Sequence, residues 1–305
     1  MPKTHAKLAI PVAAIGLLSA MPASADDTFF FSTGNPDGKM ATATRPSSPG
    51  KIEIESADDF VLTGSTAIDS ATFTGLLPRG APPSDVSEVR VEIYRVFPLD
   101  SDVGRTSGAP TFSTPQVPTR VNSPSDVELA DRDSLSGNLS FTPGVINSSF
   151  TAANSVLNGI HPSPGFHTGG DGPVTGEEVE FNVVFTSPFD LAAGHYFFVP
   201  QVELSTGDFF WLSAPRPIVP PGTSFPPAST DLQSWIRDEN LAPDWLRIGT
   251  DIVGGSPAPT FNAAFSLTGS AVPEPSTWAM MLLGLAGIGF AGHRRAKTTI
   301  GAVIA

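Results

Sequence analysis

Apolar and polar residues alternate along several short segments of this chain, and this period-two pattern is the strongest constraint on its fold. Residues 89–93 and 179–185 both place a branched or aromatic apolar side chain at every second position. Alternation of this kind predicts β-strands with one buried face, because successive side chains of a strand point to opposite sides. The run Tyr196–Leu204 is apolar almost throughout, which predicts a strand buried on both faces with an edge or a bulge at Pro200.

Glycine and proline separate these segments. The 305 residues include 29 glycines and 31 prolines, and their clusters break the chain where turns are needed, as at 78–83, 169–172 and 254–259. Many short strands joined by turns predict an all-β fold, which we expect to be a jelly-roll-like antiparallel β-sandwich. The other strand candidates are Ile52–Glu55, Phe60–Leu62, Ile68–Phe73, Leu135–Phe141, Phe209–Leu212, Leu246–Ile248 and Phe261–Leu267.

One or two short helices are expected beside the strands. Residues 230–233 have the spacing of a capping box, and Leu232, Trp235 and Ile236 follow at helical spacing. A second helix candidate covers Phe150–Leu157. Both would be short elements on the surface of the sandwich.

Composition excludes several classes of function. The chain has no cysteine, so disulfides, thiolate metal sites and cysteine nucleophiles are excluded. Residues 26–272 contain 12 basic and 29 acidic residues, a net charge of about −17. Such a charge repels nucleic acid and anionic membranes, so no nucleic-acid partner is expected.

The N-terminus has the three parts of a secretory signal peptide. Lys3 and Lys7 form a basic region, an apolar run follows from Leu8 to Ala20, and Ala23 and Ala25 form an A-x-A cleavage site. The apolar run is short for a membrane anchor. We therefore expect residues 1–25 to be removed by signal peptidase and the body to be exported.

The C-terminus carries a second apolar segment. It begins after Val272, Pro273, Glu274 and Pro275, and the 18 residues of 275–292 carry no charge. As a helix this segment is about 27 Å long, close to the ~30 Å thickness of a bilayer core. We expect a C-terminal transmembrane helix. The arginines that follow it, Arg294 and Arg295, would stay in the cytoplasm with the body outside.

This tail resembles the PEP-CTERM sorting signal of bacterial exported proteins. Pro273, Glu274 and Pro275 match the motif of that name, the apolar span matches its helix, and Arg294 and Arg295 match its basic end. The resemblance implies that a membrane-embedded exosortase recognises the tail, removes it, and releases or transfers the body to the cell surface. Because the family occurs in bacteria that make exopolysaccharide, it also implies exopolysaccharide as a partner.

The body between these ends carries no recognisable catalytic motif. His161 and His167 flank a turn, but nothing at a recognisable spacing completes a metal site, so they are most simply loop histidines. An acidic cluster at 126–133 lacks the spacing of an EF-hand loop and is most simply solvated, with a calcium site as the alternative. Glu177 and Glu178 are adjacent on a strand, which is wrong for the paired carboxylates of a glycosidase. We expect no catalytic residue, no metal and no cofactor.

Tryptophan offers the remaining sequence signal for a ligand. Trp235 and Trp245 are each followed two residues later by an arginine, and exposed rings of this kind stack on sugars. The alternative is that Trp211, Trp235 and Trp245 are all core residues, because tryptophan is highly buried on average.

The sequence thus predicts an exported surface or extracellular-matrix protein that is not an enzyme. Its parts are a signal peptide (1–25), a secreted β-sandwich domain (26–271), a sorting signal (272–297) and a short tail (298–305). The protein would first be anchored in the cytoplasmic membrane and then reach the cell surface or the medium. The alternative is a secreted carbohydrate-binding or carbohydrate-active protein on a β-sandwich.

Overall fold

The computed structural model describes residues 28–101, 121–160, 166–218, 220–272 and 281–288. Fifteen strands within these residues form two sheets. Sheet one contains β1 (Thr28–Ser32), β2 (Met40–Ala43), β4 (Thr66–Leu77), β7 (Leu139–Ala152), β8 (Asn154–Val156), β9 (Val174–Leu191), β11 (Phe210–Ala214), β14 (Asn262–Ala263) and β15 (Phe265–Ala271). Sheet two contains β3 (Ile54–Leu62), β5 (Val86–Arg95), β6 (Ala130–Asp133), β10 (Gly194–Leu204), β12 (Trp235–Asp238) and β13 (Leu246–Arg247).

Strand pairing is antiparallel except between β2 and β8. In sheet one, β15 lies between β1 and β4, β4 also pairs with β9, and β9 pairs with β7. The far end of β4 pairs with β11, which continues to β2 and β8. Sheet two has the order β13-β12-β3-β10-β5-β6. The described body is therefore an all-β sandwich, as the sequence predicts.

Phenylalanine rings fill the space between the two sheets. Phe198 of β10 stacks on Phe265 of β15 across the sandwich, with ring centroids 5.0 Å apart. Within sheet one, Phe73 stacks on Phe181 at 4.9 Å. All four rings are buried, and burying each contributes about 1.5–3 kcal/mol. This core explains how a chain without disulfides stabilises its fold.

Both alternating segments form strands, but β9 has one exposed face whereas β5 is buried on both faces. In β9 the apolar positions from Val179 to Phe185 are buried, while Asn182 and Val184 between them are exposed. In β5 the apolar positions are buried too, but so are Glu92 and Tyr94 on the opposite face. The expectation of one buried face is wrong for β5, because Leu232 and Trp245, on either side of β12, pack with Tyr94 on the outer side of sheet two.

β10 is buried on both faces, as its apolar sequence predicts. Its pairing with β5 continues through Pro200, whereas its pairing with β3 ends at Phe198. Proline has no N–H to donate, and here it lies just beyond the point where one ladder has stopped. A bulge follows at Glu203.

Both predicted helices are strands in the structure. Trp235–Asp238 is β12, which pairs with β3, and Gln233 has a left-handed φ of 75° that no α-helix accommodates. Phe150–Leu157 contains the end of β7 and all of β8. Within the described part of the body, short helical turns lie elsewhere, at Pro83–Asp85 and Ile248–Val253.

Candidate functional site

The last strand of the body leads directly into the tail. β15 ends at Ala271, and the Val272 N–H donates a hydrogen bond to the Ser65 carbonyl oxygen at 2.8 Å. β15 pairs with β1 so that Ser270 lies opposite Thr28. The start of the described body and the start of the tail therefore leave the sandwich at the same end of the same sheet.

Only part of the tail lies within the described residues. Residues 281–288 are helical and uncharged, and their large apolar side chains are exposed. Over the described portion of the chain, no helix has the length and apolarity needed to span a bilayer. Most of the predicted spanning segment and several predicted site residues fall outside that portion: Ala23, Ala25, Pro273, Glu274, Pro275, Arg294 and Arg295.

Trp235 and Trp245, the predicted glycan contacts, are fully buried. Each ring is 0 % exposed, and the two indole N–H groups donate to the carbonyl oxygens of Leu232 (3.1 Å) and Ser125 (3.0 Å). An arginine guanidinium covers each ring, at 4.5 and 4.3 Å from the two centroids. A sugar cannot reach either indole face, so the glycan prediction for these residues is wrong. They belong to a small hydrophobic core on the outer side of sheet two, and Trp211 is buried as well.

A buried ion pair and its hydrogen bonds connect three strands of sheet two. Arg237 of β12 donates to both carboxylate oxygens of Glu55 on β3 and, at 2.9 Å, to the Tyr94 hydroxyl of β5. It also donates to the carbonyl oxygens of Asp126 and Pro243, at 3.1 and 3.2 Å. These five bonds match the five N–H donors of a guanidinium, so none is left for a ligand. The network is structural.

Two adjacent carboxyl groups of β3 are buried on opposite faces of sheet two. Asp58 accepts a hydrogen bond from the Ala263 N–H at 2.7 Å, and Asp59 accepts one from the Leu232 N–H at 3.0 Å. The Nε2 atom of His195 lies 2.6 Å from Asp59. Burial raises the pKa of both carboxyl groups, that of Asp59 to about 6, although the hydrogen bond with His195 opposes the shift. Asp58 therefore fixes the segment at Ala263 against sheet two, and Asp59 fixes the segment at Leu232.

The histidines and acidic residues singled out in the sequence are separate in the structure. His167 is exposed beside Gly254, and His161 lies outside the described residues. Asp133 accepts hydrogen bonds from the Ser136 N–H and hydroxyl, both at 2.7 Å, and so closes its own turn. Among the residues that the structure describes, no group of three or more acidic or histidine side chains could hold a metal ion.

The outer face of sheet one has two rows of uncharged side chains that cross five strands. In the order β1, β15, β4, β9 and β7, the first row is Phe30, Thr268, Ser70, Val184 and Ser140, and the second is Ser32, Ser266, Thr72, Asn182 and Thr142. We call these ten residues the neutral face. At one side of it, Asn35, Glu180 and parts of both rows line a depression of about 190 Å³. No local sequence signal identifies this face, because its residues come from five separate strands.

The protein is a β-sandwich body joined at its last strand to a C-terminal segment whose described residues, 281–288, are helical and apolar. Residues 271–295 match the family model of the PEP-CTERM protein-sorting motif, which confirms the resemblance seen in the sequence. A motif of this kind implies exosortase-dependent export, membrane anchoring and sorting to the surface. No curated protein and no solved structure matches the chain, so the body is not assigned to a family.

Proposed function

We propose that this chain is a non-enzymatic surface or extracellular-matrix protein, processed through its tail. The match of residues 271–295 to the sorting motif carries the proposal. Signal peptidase would cleave after Ala25 and so begin the mature body near Asp26. An exosortase-like membrane protease would then act on the tail while Arg294 and Arg295 keep its end in the cytoplasm.

The position of the tail supports this order of events. β15 is complete at Ala271, and just beyond it the Val272 N–H donates a hydrogen bond to the Ser65 carbonyl oxygen. Cleavage after Val272 would leave every described strand pair intact. The body can therefore fold before processing and remain folded afterwards.

The non-enzymatic part of the proposal is supported by how the buried charged groups are used. Glu55 and Arg237 satisfy each other, and Asp58 and Asp59 accept main-chain hydrogen bonds. Perturbed carboxyl groups often mark catalytic sites, but structural networks perturb them too. A screen of the purified protein against hydrolase substrates tests this part, and reproducible turnover would contradict it.

We assign the body to the jelly-roll class on the basis of its nested strand pairs. β1 pairs with β15, β3 with β10, β4 with β9 and β5 with β6, all antiparallel. Successive pairs belong alternately to sheet one and sheet two. This is the pattern expected when a long antiparallel ribbon is rolled into two sheets.

The second candidate function is carbohydrate binding. The neutral face favours it, because the hydroxyl group of Ser32 and the amide group of the adjacent Asn35 line the same depression as the exposed ring of Phe30. Exopolysaccharide is the proposed partner, because proteins with this sorting motif occur in bacteria that make it. This candidate adds a ligand to the surface role and leaves the sorting route unchanged.

The sorting role is tested by Glu274→Ala in the native host. Glu274 stands between two prolines, which bias it and its neighbours toward an extended conformation suited to an enzyme site. We expect the Glu274→Ala protein to be folded and membrane-inserted but unprocessed on immunoblots of cell and medium fractions. An Arg294/Arg295 double alanine variant should instead be retained poorly before processing. The control is Glu239→Ala, which removes an exposed carboxylate from the body.

The contrary result is equally clear. If Glu274→Ala protein leaves the membrane at the wild-type rate, the tail is a simple anchor and the sorting role fails.

A further inference from the structure

We propose that the neutral face binds a neutral polysaccharide built of hexopyranose units, with the ring of Phe30 as its stacking platform. The inference rests on the proposed surface role, which brings the body into contact with extracellular glycans. It also replaces the buried tryptophans with a different site for the carbohydrate-binding candidate.

The geometry of the neutral face suits an extended chain of sugars. Its two rows run across the strands, and neighbouring strands in a sheet lie about 4.8 Å apart. Each row therefore presents a new side chain at about the width of one pyranose ring. Phe30 stands at the end of one row on β1, where 57 % of its surface is exposed. The depression of about 190 Å³ lies beside this ring and is lined by residues of β1, β15 and β4.

Three polar side chains at the site are available for a ligand. Within the described residues, the side chains of Asn35, Asn182 and Glu180 form no hydrogen bond or ion pair with the protein. Each carboxamide offers both a donor and an acceptor, as sugar hydroxyls require. The hydroxyl groups of Thr72 and Ser266 are 2.7 Å apart and so hold each other in fixed positions. Such preorganised groups lose little freedom when a ligand binds.

The aromatic ring completes the recognition of a sugar. The C–H face of a pyranose is apolar while its edge carries hydroxyl groups, so a site needs a flat apolar ring beside donors and acceptors. Phe30 supplies the ring, and Ser32 and Asn35 lie next to it around the same depression. The ring is exposed because its neighbour Phe31 occupies the core position of β1.

Charge selects a neutral glycan over an anionic one. The ten residues of the neutral face carry no charge, and Glu180 beside them is negative. The body as a whole has a net charge of about −17, which opposes the approach of an anionic polymer. The outer face of sheet two differs, because charged side chains lie on it and Arg90 there forms ion pairs with Glu88 and Glu92. Sheet one is therefore the side on which an uncharged polymer finds a matching surface.

Binding is tested with the full chain purified in a polyoxyethylene detergent, which has no sugar headgroup. The probes are neutral hexasaccharides of four classes, namely β-glucan, α-glucan, mannan and galactan, with an alginate hexasaccharide as the anionic probe. Titration calorimetry should detect at least one neutral probe and no alginate. Absence of binding to all four neutral probes, or equal binding of alginate, overturns the proposal.

Variants locate the site on the neutral face. Phe30→Ala should weaken the binding about tenfold, as expected when an aromatic anchor of an interface is truncated. Phe30→Tyr keeps the ring and should bind within about twofold of wild type, as stacking of the sugar on that ring requires. The matched control is Phe166→Ala, because Phe166 is 53 % exposed on a different part of the body.

Comparison with the Phe166→Ala control also shows which results would contradict the proposed site. Equal losses for Phe30→Ala and Phe166→Ala, or no loss for Phe30→Ala, would place binding elsewhere. The sorting proposal is judged separately, since Phe30→Ala protein should be processed and released like wild type. Failure of binding with normal processing overturns the glycan inference alone.

Discussion

Replacing Arg237 with methionine should cost more stability than any surface substitution in this body. Arg237 is 6 % exposed and makes five hydrogen bonds, two of them to Glu55, which is 3 % exposed. The Arg237→Met variant leaves the Glu55 carboxylate buried with the Tyr94 hydroxyl, 2.6 Å away, as its remaining donor. Removing one partner of a buried ion pair costs about 3–5 kcal/mol. We expect the free energy of unfolding to fall by that amount.

The double variant Arg237→Met/Glu55→Met should recover at least half of this loss, because apolar replacement of a whole buried pair is often close to neutral. The assay is urea unfolding of residues 26–272, followed by the fluorescence of the buried tryptophans. Arg79→Met is the control for an exposed arginine and should change stability by less than about 0.5 kcal/mol. A loss below about 1 kcal/mol for Arg237→Met, or no recovery in the double variant, would refute the structural role of the pair.

Two further predictions concern the buried carboxyl groups and one close contact. Burial raises the pKa of Asp58, and it raises the pKa of Asp59 to about 6. The two carboxyl groups therefore stabilise the fold fully below the ordinary pKa of 3.8, where they are protonated. This stabilisation is lost as the pH rises through the pKa of the folded state. The urea midpoint should therefore fall between about pH 4 and pH 7, and Asp59→Asn should flatten this dependence; an unchanged slope would contradict it. Gly75→Ala should destabilise the body by about 1–3 kcal/mol, because the new Cβ would lie 2.2 Å from the Phe209 ring. Gly64→Ala, with no atom within 4 Å of its Cβ, is the control, and equal melting temperatures for the two variants would contradict the prediction.

The strands that carry the fold could be predicted because their signal is local. In β9 the alternation from Val179 to Phe185 reports one buried and one exposed face, and the structure has both. The sorting motif is local as well, since its prolines, apolar span and arginines lie within 25 residues. Such features depend on neighbouring residues alone and can be recognised without the fold.

The elements that could not be predicted depend on distant parts of the chain. Trp235 and Ile236 are both buried, which suits a helical face, but they lie on a strand that is covered on its two sides. That strand exists because β12 pairs with Ala57 and Ser56 of β3, almost 180 residues earlier. The neutral face is non-local in the same way. Phe30 stands in a run of three phenylalanines whose alternation is hidden until β1 pairs with β15.

The central claim is that the tail is a processed sorting signal rather than a permanent part of the protein. Intact-mass measurement of the protein isolated from the cell surface and from the medium of the native host tests it most directly. The account predicts a mature chain that begins near Asp26 and ends close to the Pro273–Pro275 motif, without Arg294 and Arg295. A mature chain that still ends at Ala305 would contradict it.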